Sequence, residues 1–157
     1  MKKTVVLGCG NTLAGDDGVG VAVVRKLAGA TLPPGVEIIE AGAPGLSLVE
    51  MMLGADKAVL VDAFLGGGGP GRLKRYPEAE LPPVTYATGQ SHGVGLREAL
   101  AWARQAMPGR FPGEVVVIGV EIERPSRWRQ GLSPAVAAAV DDAVAAVLDE
   151  VASDGIY

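Results

Sequence analysis

Three polar side chains stand out by where they fall in the chain. Asp62 closes the apolar run Ala58-Val59-Leu60-Val61, Asp17 follows Asp16 in a glycine-rich stretch, and His92 sits among Gly89, Gly93 and Gly95. A carboxylate attached to an apolar run risks desolvation, so Asp62 needs a partner: a helix cap or neighbouring loop, a metal, or a catalytic role. His92 is the only histidine. A lone histidine also serves as an ordinary structural or surface residue, but imidazole is the side chain that titrates near neutrality and can act as a neutral ligand. The glycines around it let a backbone or a substrate come close. Adjacent carboxylates at Asp16 and Asp17 repel each other, which favours a cation nearby. One of the two is expected simply to cap a helix N-terminus. Two carboxylates and one imidazole make a hard-to-borderline donor set suited to a divalent transition metal.

The rest of the sequence says what must position these groups. The chain has 157 residues, 48% of them apolar and 20% charged, which is the composition of one globular domain spanning 1–157. Fourteen basic against eighteen acidic residues give a net charge of −4, without the basic balance that nucleic acid attracts. Two short basic clusters, Arg72/Lys74/Arg75 and Arg124/Arg127/Arg129, read as solvated surface. The single Cys9 excludes an internal disulfide and a cysteine-based zinc cage, and fits a reducing compartment. Met1-Lys2-Lys3 looks like the basic start of a signal peptide, but Gly8 and Gly10 break the apolar run that follows. That run is too short for a signal core or a membrane span, so a cytoplasmic protein without a membrane partner is expected.

Strand and helix patterns alternate. Residues 4–7, 36–40, 57–63 and 114–122 read as strands, the first and third as continuous apolar runs buried on both faces. Residues 72–76 alternate in polarity and suit an edge strand. Helical spacing links Val19, Val23 and Leu27, then Leu46, Val49 and Leu53, then Leu96, Leu100, Ala103 and Met107, and finally Val136 through Val151. Ser133-Pro134 opens the last helix, with proline in its first turn. The expected fold is α/β: a mostly parallel twisted sheet of about five strands with helices on both faces. In such sheets ligands lie beyond the carboxyl ends of the strands, where Asp16, Asp17, Asp62 and His92 fall.

Other motifs compete. Gly8-Cys9-Gly10-Asn11-Thr12-Leu13 begins like a dinucleotide fingerprint, with Glu40 at the end of the second strand where a ribose-binding acid would sit. Leu13 stands where the third glycine belongs, and Asp16-Asp17 would set negative charge against a pyrophosphate. The loop 66–71 is glycine-rich but lacks the Gly-Lys-Ser/Thr ending of a phosphate loop, and reads as a flexible surface connection. Trp102 reads as packing within its amphipathic helix, and Cys9 as packed rather than reactive.

Taken together, these segments resemble the hydrogenase maturation endopeptidases, which process the large subunit of nickel–iron hydrogenases. Val6 through Gly20 is similar to that family's Gly-x-Gly-Asn-x-Leu-x-x-Asp-[Asp/Glu]-x-x-Gly signature. Val59-Leu60-Val61-Asp62-Ala63 resembles its strand ending in a ligand aspartate, Ser91 through Leu96 its histidine segment, and Gly131-Leu132-Ser133-Pro134 the start of its last helix. Four segments in the right order span nearly the whole chain. One departure is that Glu40-Ala41-Gly42-Ala43 stands where the family often has Asp-Gly-Gly-Thr.

The resemblance implies an endopeptidase that removes a C-terminal extension from a nickel-loaded large-subunit precursor. It places Asp17, Asp62 and His92 as the catalytic and metal-engaging residues, with nickel carried by the substrate and no organic cofactor. Asp16 occupies the neighbouring signature position. Two other functions use the same sequence: a non-catalytic nickel-binding or chaperone module built on the same three residues, and a dinucleotide-binding domain.

Overall fold

Thr4–Cys9 is buried at every residue, as a β-branched run must be when helices cover both of its faces. This strand, β1, is followed by α1 (Val19–Leu27), β2 (Val36–Gly42), α2 (Ser47–Met52), β3 (Lys57–Phe64), β4 (Leu73–Pro77), α3 (Leu96–Ala106), β5 (Glu114–Glu121) and α4 (Pro134–Ala152). Short 3₁₀ turns lie at Gly15–Gly18 and Glu78–Glu80. The computed structural model describes residues 1–42, 47–81, 95–123 and 130–152. The five strands form one sheet in the order β2-β1-β3-β5-β4. All neighbours run parallel except β4, which pairs antiparallel with β5 at the edge. None of its residues is fully buried, and Lys74 and Arg75 are exposed, as suits a charged edge strand.

Alternation along the strands splits the core into two layers. Val5, Leu7, Ala58 and Leu60 face α2 and α3. Val6, Val59, Val61 and Ile118 face α1 and α4. Each fully buried aliphatic side chain contributes roughly 1.5–3 kcal/mol, so the two layers together hold the strands in register. No helix among the described residues is long and apolar enough to cross a membrane.

Among the described residues, four charged side chains are buried in this frame, and one of them is a cation. Lys57, at the start of β3, is 1% exposed. Its Nζ donates to the Glu150 backbone carbonyl at 3.0 Å and to Glu150 Oε1 at 3.1 Å, with Glu114 at 3.7 Å. Arg75 donates two further bonds to the same Glu150 carboxylate, both at 2.9 Å. Cations at the C-terminal end of α4 suit the negative end of the helix dipole. The pairing also spares Lys57 the several kcal/mol that an isolated buried ammonium costs.

Two expectations change. Trp102 is 55% exposed rather than packed. The inward face of α3 is taken by Leu96, Ala99, Leu100 and Ala103, which leaves Trp102 on the wall of an open groove with Val49, Leu53 and Met107. The glycine-rich connection 66–71 is not a free loop. Buried Glu121 accepts the Gly69 N–H and the Arg72 Nε–H, the latter at 3.0 Å, and fixes it. The cluster Arg72/Lys74/Arg75 is exposed, as expected, while Arg72 pairs with Glu121, Arg75 with Glu150, and the Lys74 ammonium lies 5.2 Å from the centre of the Tyr76 ring. Leu46, the cluster Arg124/Arg127/Arg129, and Trp128 lie outside the described residues.

Candidate active site at the carboxyl rim of the sheet

The connections out of β1 and β2 diverge. From β1 the chain passes through α1 on one face to reach β2, then through α2 on the other face to reach β3 on the far side of β1. The crevice between the carboxyl ends of β1 and β3 is therefore the topological switch point, the place where open α/β sheets bind ligands.

Glycines bring the elements close here. A Cβ on Gly20 of α1 would lie 2.2 Å from the Val61 carbonyl oxygen and 2.4 Å from that of Cys9, so α1 sits directly on the β1/β3 seam only because residue 20 has no side chain. Gly10 has φ of +120°, and a Cβ there would lie 1.9 Å from the Asp17 carbonyl oxygen. Between Gly8 and Cys9 the β1–β2 register shifts, so that Cys9 pairs with Gly42, and the Gly10 N–H donates to the Gly42 carbonyl at 2.6 Å. An irregularity of this kind re-aims the chain as it leaves the strand. The Asn11 side chain then accepts the Leu13 N–H at 2.9 Å, an Asx turn that shapes the loop.

The result of this turn is the placement of Asp17. Its side chain is buried; Oδ2 accepts the Asn11 N–H at 2.9 Å, while Oδ1 is buried with no hydrogen-bond partner among the described residues. Burial pushes the Asp17 carboxyl above the usual range, and the Asn11 N–H offsets this in part. The neighbouring Asp16 is engaged elsewhere. Its Oδ1 accepts the Ser133 N–H at 2.6 Å and its Oδ2 the Ser133 hydroxyl at 2.7 Å, at the start of α4.

Asp62 lies on the adjacent strand at the same rim, 3% exposed, with Oδ1 accepting the Ala63 N–H at 2.8 Å. Strand alternation puts it on the face of Ala58 and Leu60, the face covered by α3. The 3₁₀ turn that carries Asp17 packs against β3, which carries Asp62. His92 lies outside the described residues; α3, which follows that segment, anchors its first residue, Leu96, in the same core layer. Among the described residues, no group of three His, Cys, Asp or Glu side chains gathers to hold a metal ion.

The task of Asn11 emerges only in the fold, where its N–H holds Asp17 Oδ2. The Asp16–Ser133 link likewise has no local signal, although Ser133-Pro134 is a recognisable helix start. Glu40, considered for a ribose, is paired with Arg25 at 3.0 Å. On the β5 side of the rim burial pushes Glu121 up, but the N–H donors of Gly69 and Gly68 and the Arg72 guanidinium hold it net below its ordinary range. A small cleft of about 310 Å³ opens beside the site, lined by Gly10, Asn11, Thr12, Val21, Arg25, Glu40 and Gly42.

The fold and rim define a doubly wound α/β protein with buried carboxylates at its switch point. Residues 21–150 match the family described as hydrogenase maturation protease. The chain is 37% identical over 155 residues to a putative hydrogenase maturation protease of Methanocaldococcus jannaschii, covering 96% of this chain and 97% of that one. It is 30% identical to the hydrogenase 2 maturation protease of Escherichia coli, covering 98% and 93% of the two chains. The solved structure of the hydrogenase-maturating endopeptidase HybD from E. coli superposes with a TM-score of 0.84 at 30% identity, covering 98% of this chain and 94% of that one. The chain belongs to the hydrogenase maturation protease family, and it is a peptidase with a role in hydrogenase maturation.

Proposed function

We propose that this peptidase removes the C-terminal extension from a nickel-loaded large-subunit precursor of a nickel–iron hydrogenase, and that Asp17, Asp62 and His92 engage the nickel carried by that substrate. The observation that carries the proposal is Asp17 Oδ1, a buried carboxylate oxygen with no hydrogen-bond partner among the described residues. Leaving such a group unsatisfied costs roughly 1–3 kcal/mol, and more when it is charged. A cation arriving with the substrate removes that cost. Asp62, at the rim of the adjacent strand, brings a second carboxylate, and His92 joins the set through the family resemblance. Oxygen and imidazole donors together suit a divalent transition metal.

When bound, such a metal polarises an amide carbonyl and lowers the pKa of an attached water. The chain supplies the rest. The Asn11 N–H and the Ala63 N–H each take up one oxygen of a rim carboxylate, which fixes the orientation of Asp17 and Asp62. The cleft beside Asn11 offers room for a substrate side chain. Cys9 is fully buried in the α2/α3 core layer, which supports water rather than this thiol as the attacking group. Its lone cysteine suits work in the reducing cytoplasm.

The test is incubation of purified protein with nickel-loaded hydrogenase precursors, followed by intact-mass spectrometry. Loss of a single C-terminal peptide from the large subunit is expected. Precursors that all remain intact would contradict the proposal.

A further inference from the structure

Resting on the reading of Asp17 as a nickel-engaging residue, we propose that Asp16 is a positioning residue. It ties the turn carrying Asp17 to the N-terminus of α4 through Ser133. The contact is two-pronged, N–H to Oδ1 at 2.6 Å and hydroxyl to Oδ2 at 2.7 Å, between residues 117 positions apart. The Ser133 carbonyl accepts the Ala137 N–H at 2.8 Å, which makes Ser133 the capping residue of α4. A serine there ordinarily turns its oxygen back onto the helix; here the hydroxyl donates outward to Asp16.

Geometry separates the two neighbouring carboxylates. In a 3₁₀ turn, with about three residues per turn, successive side chains point about 120° apart. Asp16 therefore faces α4 while Asp17 faces the interior, and one ion does not draw on both in this arrangement. The placement has an electrostatic side as well. The N-terminus of a 19-residue helix carries partial positive charge, which would repel a cation at the rim. The Asp16 carboxylate lies against that end and compensates it.

If Asp16 is lost, Ser133 can still cap α4 in the ordinary way. The helix survives, the turn is untethered, and the damage falls on turnover. The experiment compares Asp16→Ala, Asp16→Asn, Ser133→Ala and Asp17→Asn in precursor cleavage, with circular dichroism as the check on folding. Asp16→Ala should lower kcat about tenfold or more and change KM by less than about twofold. Asparagine can accept the Ser133 N–H and donate to the Ser133 oxygen, so Asp16→Asn should restore kcat to within about threefold of wild type. Ser133→Ala, which keeps the backbone prong, should fall between. Wild-type turnover in Asp16→Ala overturns the inference, as does an Asp16→Asn as inactive as Asp17→Asn, which would make Asp16 a direct participant. If Asp16→Ala does not fold, wild-type turnover in Ser133→Ala overturns it instead. Full activity in Asp17→Asn would defeat the underlying reading of Asp17, a separate result.

Discussion

Gly20 and Val61 touch where α1 crosses the sheet: a Cβ on Gly20 would lie 2.2 Å from the Val61 carbonyl oxygen. Gly20 is the second residue of α1, where exchanging glycine for alanine gains at most about 1 kcal/mol of helix propensity. Here overpacking against two strand backbones outweighs that gain, since overpacked sites lose typically 1–3 kcal/mol. Gly20→Ala should therefore destabilise the protein by about 2 kcal/mol in urea unfolding and reduce cleavage by displacing the turn that follows β1. Gly109→Ala is the control, because a Cβ there meets nothing within 4 Å. It should stay within about 0.5 kcal/mol of wild type.

The buried Asp17 carboxylate carries a cost to stability. Burial raises its pKa, so its ionised form is disfavoured in the folded state, and stability falls as pH rises through the folded value. Asp17→Asn removes the buried charge. The variant should melt at a higher temperature than wild type at pH 7 while losing cleavage, the trade-off expected when a functional group is held at a cost. Scanning calorimetry beside the cleavage assay checks both. A lower melting temperature would show that the carboxylate stabilises the fold.

At the amino end of β3, away from the carboxyl rim, the sign reverses. The Arg75 guanidinium, above all, and the Lys57 ammonium hold the Glu150 carboxyl down from 4.5 to about 2 against the effect of burial. Its contribution is fully present above pH 4.5 and is lost as pH falls toward 2. Breaking a buried pair costs roughly 3–5 kcal/mol, but the Arg75 side is open to solvent and screened, so about 2 kcal/mol is expected for Glu150→Gln at pH 7. The difference between wild type and variant should shrink steadily between pH 4.5 and 2. Urea titrations at several pH values across that window measure it, and a constant difference would contradict the assignment.

What was legible in the sequence was local. Continuous apolar runs gave β1, β3 and β5, helical spacing gave α1, α3 and α4, and the polar alternation around Arg75 gave the edge strand. Asp62 stood out because a carboxylate interrupts an apolar run. The contacts that were not legible join distant segments: Asp16 to Ser133, Lys57 to Glu150, Glu121 to the glycine-rich loop. Each depends on which elements the sheet order makes neighbours, and no local pattern encodes that order. Trp102 is exposed for a related reason. Its helix has an apolar face, but only packing decides which side chains fill it, and Leu100 and Ala103 take the inward positions.

The proposed reading of nickel through Asp17 and its partners is tested most directly by a parallel time course of cleavage on nickel-loaded and nickel-free precursor, with wild type and Asp17→Asn. Cleavage of the loaded form alone, by wild type alone, is the predicted result. Equal cleavage of both precursor forms by wild type would contradict it.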